Sequence, residues 1–440
     1  MLSHARKPKI IRSNPFNPRH PRSVPFFFMS ELSAYRRHFP ALSMPQIFFD
    51  NPGGTQVPSA VADAMRDYLL TANANIGGAF RTSQRTNTVI AEAHQAMADL
   101  LNAADPAEIV FGQNMTTLAL GLARALGRDI QAGDEIVVTR LDHDANIAPW
   151  LHLEEQGAVI RWADIDPEDC TLDYNHLESL LNERTRLVAV GMASNAVGTI
   201  NDVRRVVRAA HAVGALAFVD AVQGVPHLPV DVQALECDLL ACSAYKFFGP
   251  HQGILWGRRE LLERWSAYKV RPAPSYLPGK WETGTQSHEG QAGTLAAVDY
   301  LAALGRDQAA LYTAELGELQ GRRRELRAAM LAVRDYEQQL SRHFLARLAT
   351  SDLHLYGIGD PARVGERVPT FAVTSPQAEP RALAERLAAH EIAAWSGHYY
   401  ALALAERLGR AEHGMLRLGL AHYNTTEEID RCFEVLAGHA

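Results

Sequence analysis

Hydrophobic and polar positions follow two alternating patterns from about residue 60 onward. Short apolar runs rich in Val, Ile and Phe are separated by longer stretches in which apolar residues recur every three or four positions. The short runs predict strands and the longer stretches predict amphipathic helices, and this alternation is typical of a mostly parallel sheet. The predicted strands are 108–111, 135–139, 159–163, 187–192 and 215–220.

The pattern changes near residue 295. Residues 293–348 are rich in Ala, Leu, Glu and Arg and contain no proline, which predicts a mostly helical stretch with a long bridging helix. Beyond it, 367–374 and 415–420 have the composition of strands, each followed by a helix. We therefore expect an α/β protein with a second, smaller α+β domain. The expected divisions are a segment over 45–60 that joins the small domain, a large domain over 61–295 and a small C-terminal domain over 296–440.

Residues 1–44 form a basic, proline-rich extension that we expect to be disordered in part. Its first 28 residues hold six basic side chains, five prolines and no acid. Proline blocks both helices and the hydrogen-bond ladder of a sheet. A targeting peptide, an arm for an anionic surface and a start of the protein at Met29 remain open interpretations of this segment.

Composition narrows the class of protein. The chain has 440 residues, 47% hydrophobic and 21% charged, with a formal net charge of −7. This balance shows no basic excess that would indicate nucleic acid binding, and no apolar run approaches the roughly 20 residues that a membrane span needs. The four cysteines form no CxxC pair and no metal-ligand spacing, so we expect no metal and a reducing, cytoplasmic location.

Lys246 and Asp220 are the strongest candidates for chemistry. Asp220 ends a predicted strand, and Lys246 follows it by 26 residues. This arrangement is typical of a pyridoxal phosphate enzyme, in which a lysine forms a Schiff base with the cofactor and a carboxylate pairs with the pyridine nitrogen. The alternative is an ordinary loop lysine and an ordinary strand-end acid.

Two further stretches fit the same site. Met115 and Thr116 begin a predicted helix directly after a strand, where backbone N–H groups and a hydroxyl can hold a phosphate. A simple helix-capping role is the alternative there. His143 follows another predicted strand, where an imidazole could stack on a pyridine ring or lie on the surface.

With these residues together, the chain resembles the class V aminotransferase family, in particular its branch of cysteine desulfurases and selenocysteine lyases. The resemblance covers about residues 45–435. It is carried by the motifs at 49–56, 115–116, 141–150, 194–198, 219–224, 243–246, 281–285, 416–418 and 422–425.

The resemblance implies the pyridoxal phosphate-dependent transferase fold of type I, with a mostly parallel sheet of the seven-stranded type. It also implies an amino-acid substrate and a homodimer with shared active sites. Lys246 would bind the cofactor covalently and move the proton at the substrate Cα, and His143 would stack on the ring. The other implied contacts are Asp220 to the pyridine nitrogen; Gln223, with Asn195 beside it, to the ring oxygen; Met115, Thr116, Ser243, Tyr245 and, from the second subunit, Thr285 to the phosphate; and Arg417 to the substrate carboxylate.

The departures from the family pattern concern the substrate. Desulfurases carry a nucleophilic cysteine in a mobile loop, and Tyr400 stands at that position here. A phenol with a reference pKa of about 10 does not replace a thiolate. A His-Arg pair of the desulfurases is replaced by Gly77 and Gly78, which indicates either a wider substrate pocket or a flexible turn. His398, in the Tyr400 loop, could serve as an acid or base.

These observations favour a lyase that deprotonates an α-amino acid at Cα without persulfide chemistry. An aminotransferase or an epimerase of the same family is the alternative, because the same first step serves all three reactions. A non-catalytic relative that binds the cofactor, and a desulfurase that uses a cysteine from elsewhere in the chain, also remain open.

Overall fold

The structure is a computed structural model, and it describes residue 32 and residues 34–438. The predicted disorder of the N-terminal extension falls mostly on residues outside this range. The helices, numbered here in chain order, are α1 Ser59–Thr71, α2 Arg81–Leu101, α3 Met115–Leu126, α4 Ala148–Leu151, α5 Tyr174–Leu180, α6 Val203–Ala212, α7 Val232–Leu235, α8 Arg259–Arg264, α9 His288–Gln308, α10 Thr313–Leu316, α11 Gly321–Leu348, α12 Pro380–Ala388, α13 Leu402–Arg407 and α14 Thr426–Leu436.

The strands form one large sheet, one smaller sheet and two short pairs in the described residues. They are β1 Ile47–Phe48, β2 Ile109–Gly112, β3 Glu135–Thr139, β4 Val159–Ala163, β5 Ile165–Asp166, β6 Thr171–Leu172, β7 Thr185–Gly191, β8 Leu216–Asp220, β9 Leu239–Ser243, β10 Gly253–Gly257, β11 His354–Tyr356, β12 Thr370–Thr374, β13 Ile392–Ala393, β14 Trp395–Gly397 and β15 Met415–Gly419.

The large sheet has seven strands in the order β2-β10-β9-β8-β7-β3-β4. The pairs among β9, β8, β7, β3 and β4 are parallel, and β10 alone runs antiparallel to its neighbours β9 and β2. The connection 244–252 contains no crossover helix, so β10 returns antiparallel beside β9. The predicted α/β class with a mostly parallel seven-stranded sheet is therefore confirmed.

Both faces of this sheet are buried, as its apolar strands predict. In β7, Val188 and Val190 belong to one hydrophobic core, whereas Leu187 and Ala189 belong to a second core on the opposite face. Successive side chains of a strand point to opposite faces, so a strand covered on both sides needs a continuous apolar run. The polar side chains are consequently left to the strand ends.

The smaller sheet has four strands in the order β11-β12-β15-β14, and its three pairs are antiparallel. It lies in the C-terminal part of the chain with α12 and α14. The N-terminal strand β1 pairs in parallel with β13, and an isolated bridge joins Asp50 to Gly419 at the end of β15. These pairs bring the turn 50–54 to the C-terminal part of the chain. The domain boundaries themselves stay a prediction.

The helical stretch predicted over 293–348 forms two long helices, α9 and α11, rather than one continuous helix that bridges the domains. The chain turns through the short α10, and Gly317 has a positive φ of 50°. The two long helices then pack against each other, and a Cβ on Gly305 would lie 1.8 Å from the Glu325 carbonyl oxygen. No helix in the described residues is long and apolar enough to cross a membrane.

Candidate active site

Lys246 lies at the carboxyl edge of the large sheet, in the connection between β9 and β10. Its side chain is buried, and Nζ donates to the carbonyl oxygens of Pro52 at 2.6 Å and Gly53 at 3.0 Å. Burial, and next the positive charge of Arg417, lower the pKa of Lys246 to about 7. A neutral amine, which is the nucleophilic form of lysine, is therefore available near neutral pH.

Asp220 ends the neighbouring strand β8, and its carboxylate accepts a hydrogen bond from the Val222 backbone N–H at 2.9 Å. Burial raises the pKa of Asp220 to about 6. A second buried acid, Asp142, accepts from the backbone N–H of Gly191, which pairs with Asp220 across β7 and β8. Burial and the charge of Asp220 raise the pKa of Asp142 to about 8. At neutral pH Asp142 therefore holds its proton, and Asp220 is the anion of the two.

His143 follows β3 and is held by the backbone beside it. Its Nδ1 accepts the N–H of Ala145 at 3.0 Å, and its ring stacks on Tyr400 with 5.5 Å between the centroids. Burial, followed by the positive charges of Lys246 and Arg417, lowers the pKa of His143 to about 4. The ring is therefore a neutral imidazole at pH 7, and it can stack on a flat ligand without adding charge.

Arg417 comes from the middle of β15 and is buried. Its Nη1 donates to the Asn195 carbonyl oxygen at 2.9 Å, and the Tyr399 ring lies 4.4 Å from the guanidinium carbon. Burial lowers the pKa of Arg417 to about 10, which leaves it charged at pH 7. Arg417 Nε and Asn195 Oδ1 are buried without hydrogen-bond partners in the described structure. Unpaired buried polar atoms are rare, so this pair indicates a place for a polar ligand.

The start of α3 lies next to the end of β9. The Met115 N–H donates to Ser243 Oγ at 3.2 Å, while Thr116 is exposed. The same stretch also caps the helix, because Asn114 is the N-cap and forms a capping box with Thr117, whereas Thr116 is not the cap. The helix N-terminus and two hydroxyl groups are thus available for an anion. Tyr245, beside Ser243 in sequence, stacks on His251 with 4.8 Å between the ring centroids.

The carbonyl of Pro52 connects two of the predicted residues. It accepts from Gln223 Nε2 at 2.9 Å as well as from Lys246. Asn195 lies on the other side of the site, where its Nδ2 donates to the Tyr399 carbonyl oxygen at 2.9 Å. The structure therefore brings Lys246 together with residues from four other parts of the chain.

Two predicted residues are not part of this cluster in the single chain. Thr285 is exposed, just before α9. A Cβ added at Gly78 would meet Phe80 and Ser83 of the same segment. Gly78 therefore gives the Lys246 site no extra room within one chain. His398 lies at the edge of the site, where its Nδ1 accepts the Tyr400 N–H at 3.2 Å.

Sequence reasoning assigned no role to Asp50 or Trp395. Burial raises the pKa of Asp50, and the charges of Arg417 and Lys246 oppose that change. Its Oδ1 is buried and has no hydrogen-bond partner among the described residues. The Nε1 of Trp395 lies 3.2 Å from the position that a Cβ on Gly53 would take. Asp50 lies in a motif that carried the family resemblance, but no local pattern connected Trp395 with Lys246.

The cysteines contribute nothing to this site. All four cysteines are buried and free of disulfide bonds, namely Cys170, Cys237, Cys242 and Cys432. Burial raises the pKa of the Cys170 thiol to about 12, and it raises the pKa of the other three thiols further. None of the four is the accessible thiolate that nucleophilic attack on sulfur requires.

Comparison with known proteins places the chain in a family. The family described as Aminotransferase class-V matches residues 47–323 and 325–432. The aminotransferase-like protein FGM3 of Gibberella zeae is 33% identical over 414 residues, which cover 91% of this chain and 96% of the relative. A cysteine desulfurase of Pectobacterium atrosepticum is 33% identical over 418 residues, covering 90% and 95%.

Solved structures share the fold. The cysteine desulfurase CsdA of Escherichia coli superposes with a TM-score of 0.78 at 26% identity, covering 93% of this chain and 98% of that one. The apo cysteine desulfurase of Thermococcus onnurineus NA1 gives a TM-score of 0.80 at 26% identity, covering 92% and 97%. The fold is that of the type I pyridoxal phosphate enzymes. This chain belongs to the class-V aminotransferase family, whose members use pyridoxal phosphate as their cofactor.

Proposed function

We propose that this protein is a pyridoxal phosphate enzyme that deprotonates an α-amino acid at Cα and acts as a lyase without persulfide chemistry. The observation that carries the proposal is the buried Lys246, with its lowered pKa, between Asp220, His143 and Arg417. The residues fit the cofactor, because Asn195 Oδ1 lacks a partner within the part of the chain that the structure describes, and the start of α3 offers an anion site beside Ser243. When bound, pyridoxal phosphate supplies an electron sink for the carbanion at Cα.

The residues would divide the work between cofactor and substrate. Lys246 would hold the cofactor through Nζ, and its free amine would move the Cα proton of the substrate. Asp220, as the anion of the buried acid pair, would pair with the pyridine nitrogen. The neutral His143 would stack on the ring, and Arg417 would bind the substrate carboxylate through its guanidinium fork. The phosphate would be held by Met115, Thr116, Ser243 and Tyr245. The ring oxygen would be held by Gln223.

The absence of persulfide chemistry follows from the thiols and from Tyr400. All four cysteines are buried with raised thiol pKa values, and the loop that carries the nucleophilic cysteine in desulfurases presents a phenol here. An aminotransferase is the second candidate, since FGM3 is described as aminotransferase-like.

The test combines labelling with product analysis. Borohydride reduction and peptide mapping should place the pyridoxyl group on Lys246, and Lys246→Ala should abolish the label while Lys269→Ala retains it. The purified enzyme is then mixed with the twenty amino acids and several S-conjugated cysteines. Pyruvate release supports the lyase, and amino-acceptor-dependent keto-acid formation supports the aminotransferase. A label on another lysine refutes the assignment, and a labelled protein that converts no substrate is a non-catalytic relative.

We also propose a cytoplasmic homodimer with shared active sites. The exposed Thr285 is free to reach the phosphate of a second subunit, and a two-fold dimer is the commonest oligomer. Unpaired cysteines are typical of a reducing compartment. Light scattering of the cofactor-saturated protein tests the dimer, and an active monomer would refute it.

A further inference from the structure

The segment 395–400 places three aromatic side chains beside the groups that would bind the substrate. Trp395 is the cross-strand partner of Arg417 in the pairing of β14 and β15. Directly opposed residues in an antiparallel pair point to the same face, so the indole and the guanidinium share one side of the sheet. The indole also approaches Gly53, whose carbonyl oxygen accepts from Lys246.

Tyr399 is fixed in place against Arg417. Its ring covers the guanidinium, its hydroxyl donates to the Met415 carbonyl oxygen, and its own carbonyl accepts from Asn195. The ring of the next residue, Tyr400, stacks on His143, and the backbone carbonyl oxygen of Tyr400 accepts the Asp144 N–H at 2.7 Å. Tyr399 and Tyr400 have positive φ values of 55° and 61°. Bulky residues adopt this left-handed backbone only at an energetic cost, so the surrounding contacts hold the two rings in a defined position.

Two of these aromatic side chains keep much of their surface open. Trp395 is 56% exposed and Tyr400 is 70% exposed, although each has part of its ring against a group of the site. Exposed aromatic surface that borders a reactive site is available to a ligand, and aromatic pairs prefer stacked or edge-on contacts.

We propose that the site selects α-amino acids with an aromatic side chain, held against Trp395 and Tyr400. This inference rests on the proposed function, because Lys246 and Arg417 must fix the amine and the carboxylate of the substrate. The side chain is then the third point of attachment, and the aromatic segment forms a wall beside both fixed points. A cationic side chain is disfavoured, since it would enter a site that already holds Lys246 and Arg417.

The test is a titration of the cofactor-loaded enzyme, followed by the cofactor absorption. L-phenylalanine, L-leucine, L-alanine, L-cysteine and L-aspartate are compared, and phenylalanine should bind about tenfold more tightly than leucine. The fluorescence of Trp395 is obtained by subtracting the spectrum of the Trp395→Phe variant from that of the parent. Its quenching by phenylalanine gives a readout that does not depend on turnover.

Variants separate recognition from structure. Trp395→Ala and Tyr400→Ala should each weaken phenylalanine binding about tenfold and alanine binding less than twofold. Trp395→Phe should keep the preference, and Tyr268→Ala, an exposed tyrosine that lies over Arg128, should change neither amino acid. Equal binding of phenylalanine and leucine, or equal loss of phenylalanine and alanine binding in both Ala variants, overturns the aromatic proposal. A response to alanine but not to phenylalanine overturns the aromatic proposal and leaves the proposed function standing. No response to any of the five amino acids overturns both.

Discussion

Asp142 provides the sharpest test of the electrostatics of the site, through the variant Asp142→Asn. Its side chain is buried, Oδ1 accepts the Gly191 N–H at 2.9 Å, and Oδ2 accepts Asn146 Nδ2 at 2.8 Å. Burial, and next the charge of Asp220, raise the pKa of Asp142 from 3.8 to about 8. In the folded protein the group therefore keeps its proton through a range in which the unfolded chain has lost it.

Proton linkage determines whether stability rises or falls with pH. Between about pH 4 and pH 8 the folded state binds the proton of Asp142 and the unfolded state does not, so this residue makes stability fall as pH rises. The penalty is absent below the unfolded pKa and complete above the folded one. The pKa shift of about four units, at 1.36 kcal/mol for each unit, limits this loss of unfolding free energy to roughly 5 kcal/mol. An amide does not titrate, so the variant escapes this loss.

The introduced amide has room to form the same contacts. Its oxygen can accept the Gly191 N–H, and its nitrogen would then face Asn146. The Oδ1 of Asn146 has no partner in the described structure, so a flip of that amide turns the oxygen toward the new donor. The variant should therefore fold, and its stability relative to the parent should depend on pH rather than on packing.

The assay is thermal unfolding of the cofactor-saturated proteins at pH 5 and pH 8.5. The difference in Tm between Asp142→Asn and the parent should move in favour of the variant at the higher pH. Asp129→Asn, at an exposed position, is the control and should show a much smaller change between the two pH values. A variant-to-parent difference that is equal at both pH values would show that Asp142 is ionised throughout, and the reasoning would fail.

Three further predictions concern the substrate, the sulfur chemistry and the backbone. Arg417→Ala should weaken amino-acid binding by roughly 2–5 kcal/mol with unchanged cofactor content, as measured by absorption titration; loss of cofactor at unchanged affinity would give Arg417 a structural role. Sulfide release from L-cysteine with dithiothreitol should be negligible, and turnover comparable to desulfurases that survives Cys→Ala at all four cysteines would contradict the argument from the missing thiol. Gly198→Ala should lower the unfolding free energy by roughly 2 kcal/mol or more in urea, because φ is +83° and a Cβ would lie 2.5 Å from the Thr370 carbonyl oxygen. Gly121→Ala is its control, since a Cβ there meets nothing within 4 Å, and equal effects of the two changes would refute the steric argument.

The sequence by itself indicated the alternation of strands and helices and the candidate reactive residues. Each apolar run and each amphipathic period is encoded within a few neighbouring residues, so the strands that end at Thr139 and Asp220 could be predicted locally. Polar residues directly after buried strands could be assigned to one edge of the sheet, because parallel strands end together. Asp220 and His143 were predicted in this way, and Lys246 was predicted from its spacing of 26 residues from Asp220.

Tertiary structure decided what depends on contacts between distant segments. The turn at Pro52 meets Lys246 across 194 sequence positions, and Trp395 reaches Gly53 only because β1, β13 and β15 bring the two ends of the chain together. The break between α9 and α11 was also decided by packing, since two long helices side by side bury more apolar surface than one extended bridge. The raised pKa of Asp142 has the same origin. A carboxylate in the sequence carries no information about its burial, and burial beside Asp220 is what keeps its proton in place.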